Sequence, residues 1–132
     1  MSRESDKFER DLAEMLGEHG FWATVIPKAD DGTQPCDIIA CNKLFVHLID
    51  AKLCDTGRFV FSRAEENQRS SMEFIKRRAN GHGWFALKYP DGKIYMIPKS
   101  FIEYKESVGT KSLSEIPDYY SLEYWLNVYS DK

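Results

Sequence analysis

The chain has 132 residues, 42% of them apolar and 30% charged, a composition typical of one globular domain long enough to bury a core. No run of about 18 apolar residues is present to span a bilayer, and the charged start MSRESDKFER lacks the apolar stretch of a secretory signal. The net charge of −3 argues against a uniformly basic nucleic-acid-binding protein and confines any phosphate-binding surface to part of the chain. Three cysteines, Cys36, Cys41 and Cys54, form neither a CxxC pair nor an even set, which reads as reduced thiols in the cytoplasm.

The charge is unevenly spread. Residues 1–52 carry 6 basic and 10 acidic groups, residues 53–99 carry 9 and 5, and residues 100–132 carry 3 and 6. The middle third is therefore the one able to offer a basic face.

Residues 5–19 read as a helix. Phe8, Leu12, Met15 and Leu16 fall at i, i+4, i+7 and i+8, and Gly17 and Gly20 favour a stop. Glu9 borders that apolar stripe. It either leans towards a sheet or serves the positive helix N-terminus, a role open equally to Glu4, Asp6 and Asp11. Phe21–Pro27 reads as a first strand. The loop ADDGTQP, residues 29–35, holds Asp30, Asp31 and Thr33, for which turn chemistry is a sufficient account beside contact with substrate or an ion.

Cys36–Lys52 reads as two strands joined by a two-residue turn at Asn42-Lys43. That loop pairs Cys41 with Leu44 and puts Asp37 opposite Leu48. Asp37 is then a diagonal neighbour of Asp50, at about 7–8 Å between backbones. Lys52, two residues after Asp50, shares its face. An odd loop length would flip one acid to the other side. Acids are depleted in strands and repel each other at close range. A divalent cation removes both objections. The alternative is a pair of strand-end acids facing water. His47, within the second strand, reads as a packed residue, not a ligand.

Residues 54–61 read as a turn leading into a short extended piece, FVF. Ser62-Arg63-Ala64-Glu65 then has the S-x-x-E pattern of a capping box opening a helix. Ala64, Gln68, Met72, Ile75 and Ala79 make its inner face, with Gln68 the polar member that must find partners. Arg69, Lys76, Arg77 and Arg78 make an outer face suited to backbone phosphates, to which Arg58 and Arg63 add two more cations. Gly83–Tyr89 and Ile94–Pro98 read as fourth and fifth strands about the turn Pro90-Asp91-Gly92. Ser100–Glu106 reads as a short helix. Ser121 caps a last helix with Leu122, Trp125, Leu126 and Tyr129 on one face. The aromatic cluster Tyr119, Tyr120, Tyr124 and Trp125 suits sheet covering, dimer contact or base stacking, and its acidic setting favours the first two.

Asp37 followed by Asp50-Ala51-Lys52 resembles the PD-(D/E)xK nuclease signature. With Glu9 in FERDLAEML ahead of it and Glu66-Asn67-Gln68 after it, the order of motifs resembles that of Holliday-junction resolvases of the archaeal and the bacterial RecU-like types, over residues 5–102. The resemblance implies an α/β, restriction-endonuclease-like core: a central mixed sheet of about five strands flanked by helices. It implies one nuclease domain over residues 1–132, with the core at about 5–102 and an aromatic-rich extension at about 107–132. It implies catalytic roles for Asp37, Asp50, Lys52, Glu9 and Gln68. Mg²⁺ or Mn²⁺ would sit on Asp37, Asp50, the Ala51 carbonyl and Glu9. Arg58, Arg63, Arg69, Lys76 and Arg77 would meet branched DNA. A homodimer would supply two paired cuts, in the cytoplasm of an archaeon, a bacterium or a phage-infected cell. Two departures stand out. Cys36 replaces the signature proline, and the acid before Ala51-Lys52 is Asp, not Glu, as some RecU-like members have it. The alternatives are a nuclease of the same superfamily acting on other DNA structures, and a non-catalytic DNA-binding protein of nuclease fold.

Overall fold

The computed structural model describes residues 3–130. In chain order its elements are α1 (Arg3–Glu18), β1 (Trp22–Val25), β2 (Ile38–Cys41), β3 (Val46–Leu53), β4 (Phe59–Val60), α2 (Glu66–Ala79), β5 (His82–Lys88), β6 (Ile94–Pro98), α3 (Lys99–Ser107), β7 (Ser112–Leu113) and α4 (Leu122–Tyr129). Five strands form one sheet in the order β1-β2-β3-β5-β6, and β4 pairs with β7 in a separate two-stranded ladder. β3 and β5 run parallel and every other pairing in the main sheet is antiparallel. The sheet is thus the mixed five-stranded one expected, with α2 as the crossover between its parallel strands. The small ladder, which joins chain segments more than 50 residues apart, was not foreseen.

Alternation along the strands assigns side chains to two cores. On one face Phe8, Leu12 and Leu16 of α1 and Leu122, Trp125 and Leu126 of α4 pack on Ile38, Ala40, Ile49, Trp84 and Ala86. On the other, Met72 and Ile102 join Phe59, Phe61, Phe85, Leu87, Tyr95 and Ile97. Ser121 caps α4 as expected, accepting from the Tyr124 amide. Trp125 packs inside, whereas Tyr119 and Tyr124 stay exposed. His47 is fully buried. Its Nδ1 accepts the Trp84 indole N–H at 2.9 Å, and burial, with His82 beside it, pushes its pKa down to about 3.

Two local readings are corrected. Cys41 pairs with Val46, not Leu44, so the hairpin loop holds the four residues 42–45. The Asn42 carboxamide oxygen accepts from the amides of Leu44 and Phe45, an Asx-type arrangement that closes the longer loop. Ile39, not Asp37, therefore faces Leu48. Secondly, α2 starts three residues later than the S-x-x-E pattern suggests. Phe61–Arg63 is a turn of 3₁₀ helix, and the capping box is formed by Glu65 and Gln68.

α2 lies very close to β5 because Gly83 has no side chain. A Cβ there would stand 2.4 Å from Met72 Cβ and 2.2 Å from its Cγ. Gly83→Ala is expected to cost about 1–3 kcal/mol of stability through overpacking, read as a lower urea midpoint with an unchanged slope.

Candidate active site

β3 carries Asp50 and Lys52 on one side of the strand. Asp37 immediately precedes β2 and is hooked to β3 on both sides of Asp50. Its amide donates to the Ile49 carbonyl at 3.0 Å, and its Oδ2 accepts from the Ala51 amide at 2.9 Å. The four-residue loop has the same even parity as a two-residue one, so the two acids stay together despite the changed register. Glu9 reaches the same place from α1, buried to 4% exposure.

Lys28, three residues beyond β1, joins the helix acid to the strand acid. Its ammonium donates to both Glu9 carboxylate oxygens and to Asp37 Oδ1, each at 2.8 Å. Sequence reasoning missed this residue. It lies just before the loop singled out, and a lone lysine next to a turn carries no local signal of such a contact. Asp31 and Thr33 of that loop are occupied with each other, the Thr33 amide and hydroxyl both donating to Asp31 Oδ1.

Asp50 is 1% exposed and, among the described residues, its Oδ2 has no hydrogen-bond partner. Burial, with Asp37 adding repulsion, pushes its carboxyl up to about 8. Burial also raises Glu9, against the hydrogen bond from Lys28. Burial works against the Lys28 charge too, but its bonds to Asp37 and Glu9 prevail and its pKa rises. Lys52 is held below its ordinary pKa by burial, opposed by Asp50. One ammonium is thus shared by two acids, while a third is left buried and unclaimed. No group of three or more His, Cys, Asp or Glu is set to hold a metal among the described residues. What the site offers is the pair Asp37 and Asp50, a donor count that suits Mg²⁺ completed by water and phosphate. The orphaned Asp50 oxygen fits such an ion.

The remaining candidate residues divide. Gln68 is half-buried, but its Oε1 accepts from the Glu65 amide at 3.1 Å, so that oxygen is used in capping α2. Among the described residues no hydrogen bond joins Gln68 to Lys52 or to the acids. Arg69 does not face outwards. It donates to the Ala64 and Phe61 carbonyls and makes two bonds to Glu106, tying α2 to α3, so four of its five N–H donors are used within the fold. Arg58, Arg63, Lys76 and Arg77 are exposed. Arg63 also donates to the Leu53 carbonyl at the end of β3, and Arg77 pairs with Glu73.

A mixed sheet in which Asp37, just ahead of β2, is hooked beside Asp50 of β3 has the arrangement of the PD-(D/E)xK nuclease class. The model of the archaeal Holliday junction resolvase family, Hjc, matches residues 1–129. The chain belongs to that family and is a junction-resolving nuclease, of the archaeal of the two types that its sequence resembles. It is similar to the solved structure of Hjc from Archaeoglobus fulgidus, a Holliday junction resolvase from an archaeal hyperthermophile. The two are 28% identical with a TM-score of 0.58, over 71% of this chain and 75% of that one. No curated protein matches the chain. Among the described residues no helix is long and apolar enough to cross a membrane.

The raised Asp50 pKa has a consequence for stability. A carboxyl at about 8 in the folded protein and at about 4 in the unfolded chain favours folding fully only below pH 4. That contribution is lost as pH rises towards 8. Thermal unfolding in a chelator should therefore show Tm falling between pH 5 and pH 8. Asp50→Asn should flatten that fall and raise Tm at pH 8.

Proposed function

We propose that this protein resolves four-way DNA junctions by metal-assisted phosphodiester hydrolysis, with Asp37, Asp50 and the Ala51 carbonyl holding one or two Mg²⁺ or Mn²⁺ ions and Glu9 assisting. The buried, unpartnered oxygen of Asp50 carries this reading, because a carboxylate with no partner is costly unless a cation completes it. The chemistry such an ion supplies is polarisation of the phosphate and a lowered pKa for bound water.

The chain's own groups do the rest. Lys52, beside Asp50 and partly desolvated, directs its ammonium at charge that builds on the phosphate. Asp37 is kept in place by the Ala51 amide, so the acid pair is organised before substrate arrives. Arg58 and Arg63 precede α2 and Lys76 and Arg77 lie in its last turns, exposed cations for the DNA backbone. Gln68, whose carboxamide oxygen is used in the cap, retains its amide N–H groups for a water or a phosphate. Arg69 serves α2–α3 packing instead. Two paired cuts in one junction call for two active sites, which a two-fold homodimer provides.

In a Mg²⁺-dependent assay on a synthetic four-way junction beside duplex DNA of the same sequence, the junction should be cut preferentially. Asp50→Ala and Lys52→Ala should each lower the rate by about 10²–10³ or more while circular dichroism stays native. Full activity in both variants would remove this site from the mechanism. Junction affinity should fall as salt rises, through counterion release. Light scattering should return twice the 15.3 kDa chain mass.

A further inference from the structure

We propose that Lys28 is a built-in stand-in for a cation: it holds the acids of the ion-free site in place and is displaced when a divalent ion binds. The proposal rests on the reading of Asp37 and Asp50 as the ion site.

An ammonium has three N–H donors. Lys28 directs them at three oxygens, Glu9 Oε1, Glu9 Oε2 and Asp37 Oδ1, all at 2.8 Å. This one charge ties the Glu9 carboxylate of α1 to Asp37 at the start of β2. With Lys28 in place the two acids do not repel each other outwards, and Asp37 keeps its hook on the Ala51 amide.

The same contact obstructs the ion. Asp37 has two oxygens, and both already accept a hydrogen bond, Oδ2 from Ala51 and Oδ1 from Lys28. A divalent cation drawing on Asp37 must compete with Lys28 for Oδ1 and is repelled by it at close range. Asp50 Oδ2 lies outside the Lys28 set and, among the described residues, is buried without a partner, so the lysine leaves that oxygen unanswered. An ion reaching that oxygen gains what Lys28 does not supply.

Lys28 is also placed to move. It lies in the stretch between the end of β1 at Val25 and the start of β2 at Ile38, which has no regular structure. Its side chain keeps 24% of its surface, whereas those of Glu9 and Asp37 keep 5% and 12%. Its long apolar stem lets the charged head shift towards solvent with little backbone change. Lys52 differs. It is fixed by the ladder of β3 with β5 and makes no hydrogen bond to the acids among the described residues.

The test is calorimetric titration of Mn²⁺ into metal-free protein, without DNA. Lys28→Met and Lys28→Gln, which remove the charge and keep the stem, are compared with wild type, and Asp50→Asn serves as the control for the site. Both neutral variants should bind Mn²⁺ about tenfold more tightly than wild type, the order expected when a nearby like charge is removed. Their Tm in chelator should fall, and Mn²⁺ should raise it by more than it raises that of wild type. Equal or weaker binding in the neutral variants, with Mn²⁺ still taken up by wild type and lost in Asp50→Asn, would overturn the role of Lys28 and leave the ion site standing. Absence of Mn²⁺ uptake by wild type would overturn both.

Discussion

A carboxylate buried in the central strand of a sheet, with one oxygen unanswered, is the constraint to which this structure is fitted. Asp50 stands between two strands, 1% exposed, where an apolar residue would pack at no electrostatic expense. Everything nearby manages its charge. Asp37 is anchored beside it by a β3 amide, Lys28 neutralises the acids that surround it, and Lys52 follows on the same face. The two hydrophobic cores fix the elements that carry these groups. α1 brings Glu9 through Phe8, Leu12 and Leu16, and α2 braces the parallel pair of β3 and β5 through Met72 against Gly83.

Much of this was written in periodicity. The stripe of α1 was legible because its apolar residues recur at helical spacing. The bounds of β6 were legible because Pro90-Asp91-Gly92 and Pro98 punctuate it. The convergence of Asp37 and Asp50 followed from strand alternation and an even loop, and it survived an error in the loop's length because only parity matters. The family resemblance rested on the same residues, in the same order.

What stayed hidden depends on contacts between distant positions or on competition between equivalent local signals. The hairpin turned on the Asn42 side chain capping two amides within its own loop, which two residues of sequence do not reveal. Helix α2 had two overlapping box patterns, one from Ser62 and one from Glu65, and with Phe61 buried in a 3₁₀ turn the second is the one that forms. That choice in turn engaged the Gln68 carbonyl. Arg69 looked outward by helical spacing, yet its partner Glu106 lies 37 residues further along. Lys28 was invisible for the same reason, since its partners sit 19 and 9 residues away on different elements.

The hairpin between β2 and β3 has a bearing on the register of the strands it joins. Asn42 also donates to the Tyr129 carbonyl at 2.8 Å, which pins the loop to the last helix. A slip of one residue between β2 and β3 would turn Asp37 away from Asp50 and, in the same movement, turn Ile38 and Ala40 out of the core, so the bend that keeps the register guards chemistry and packing together.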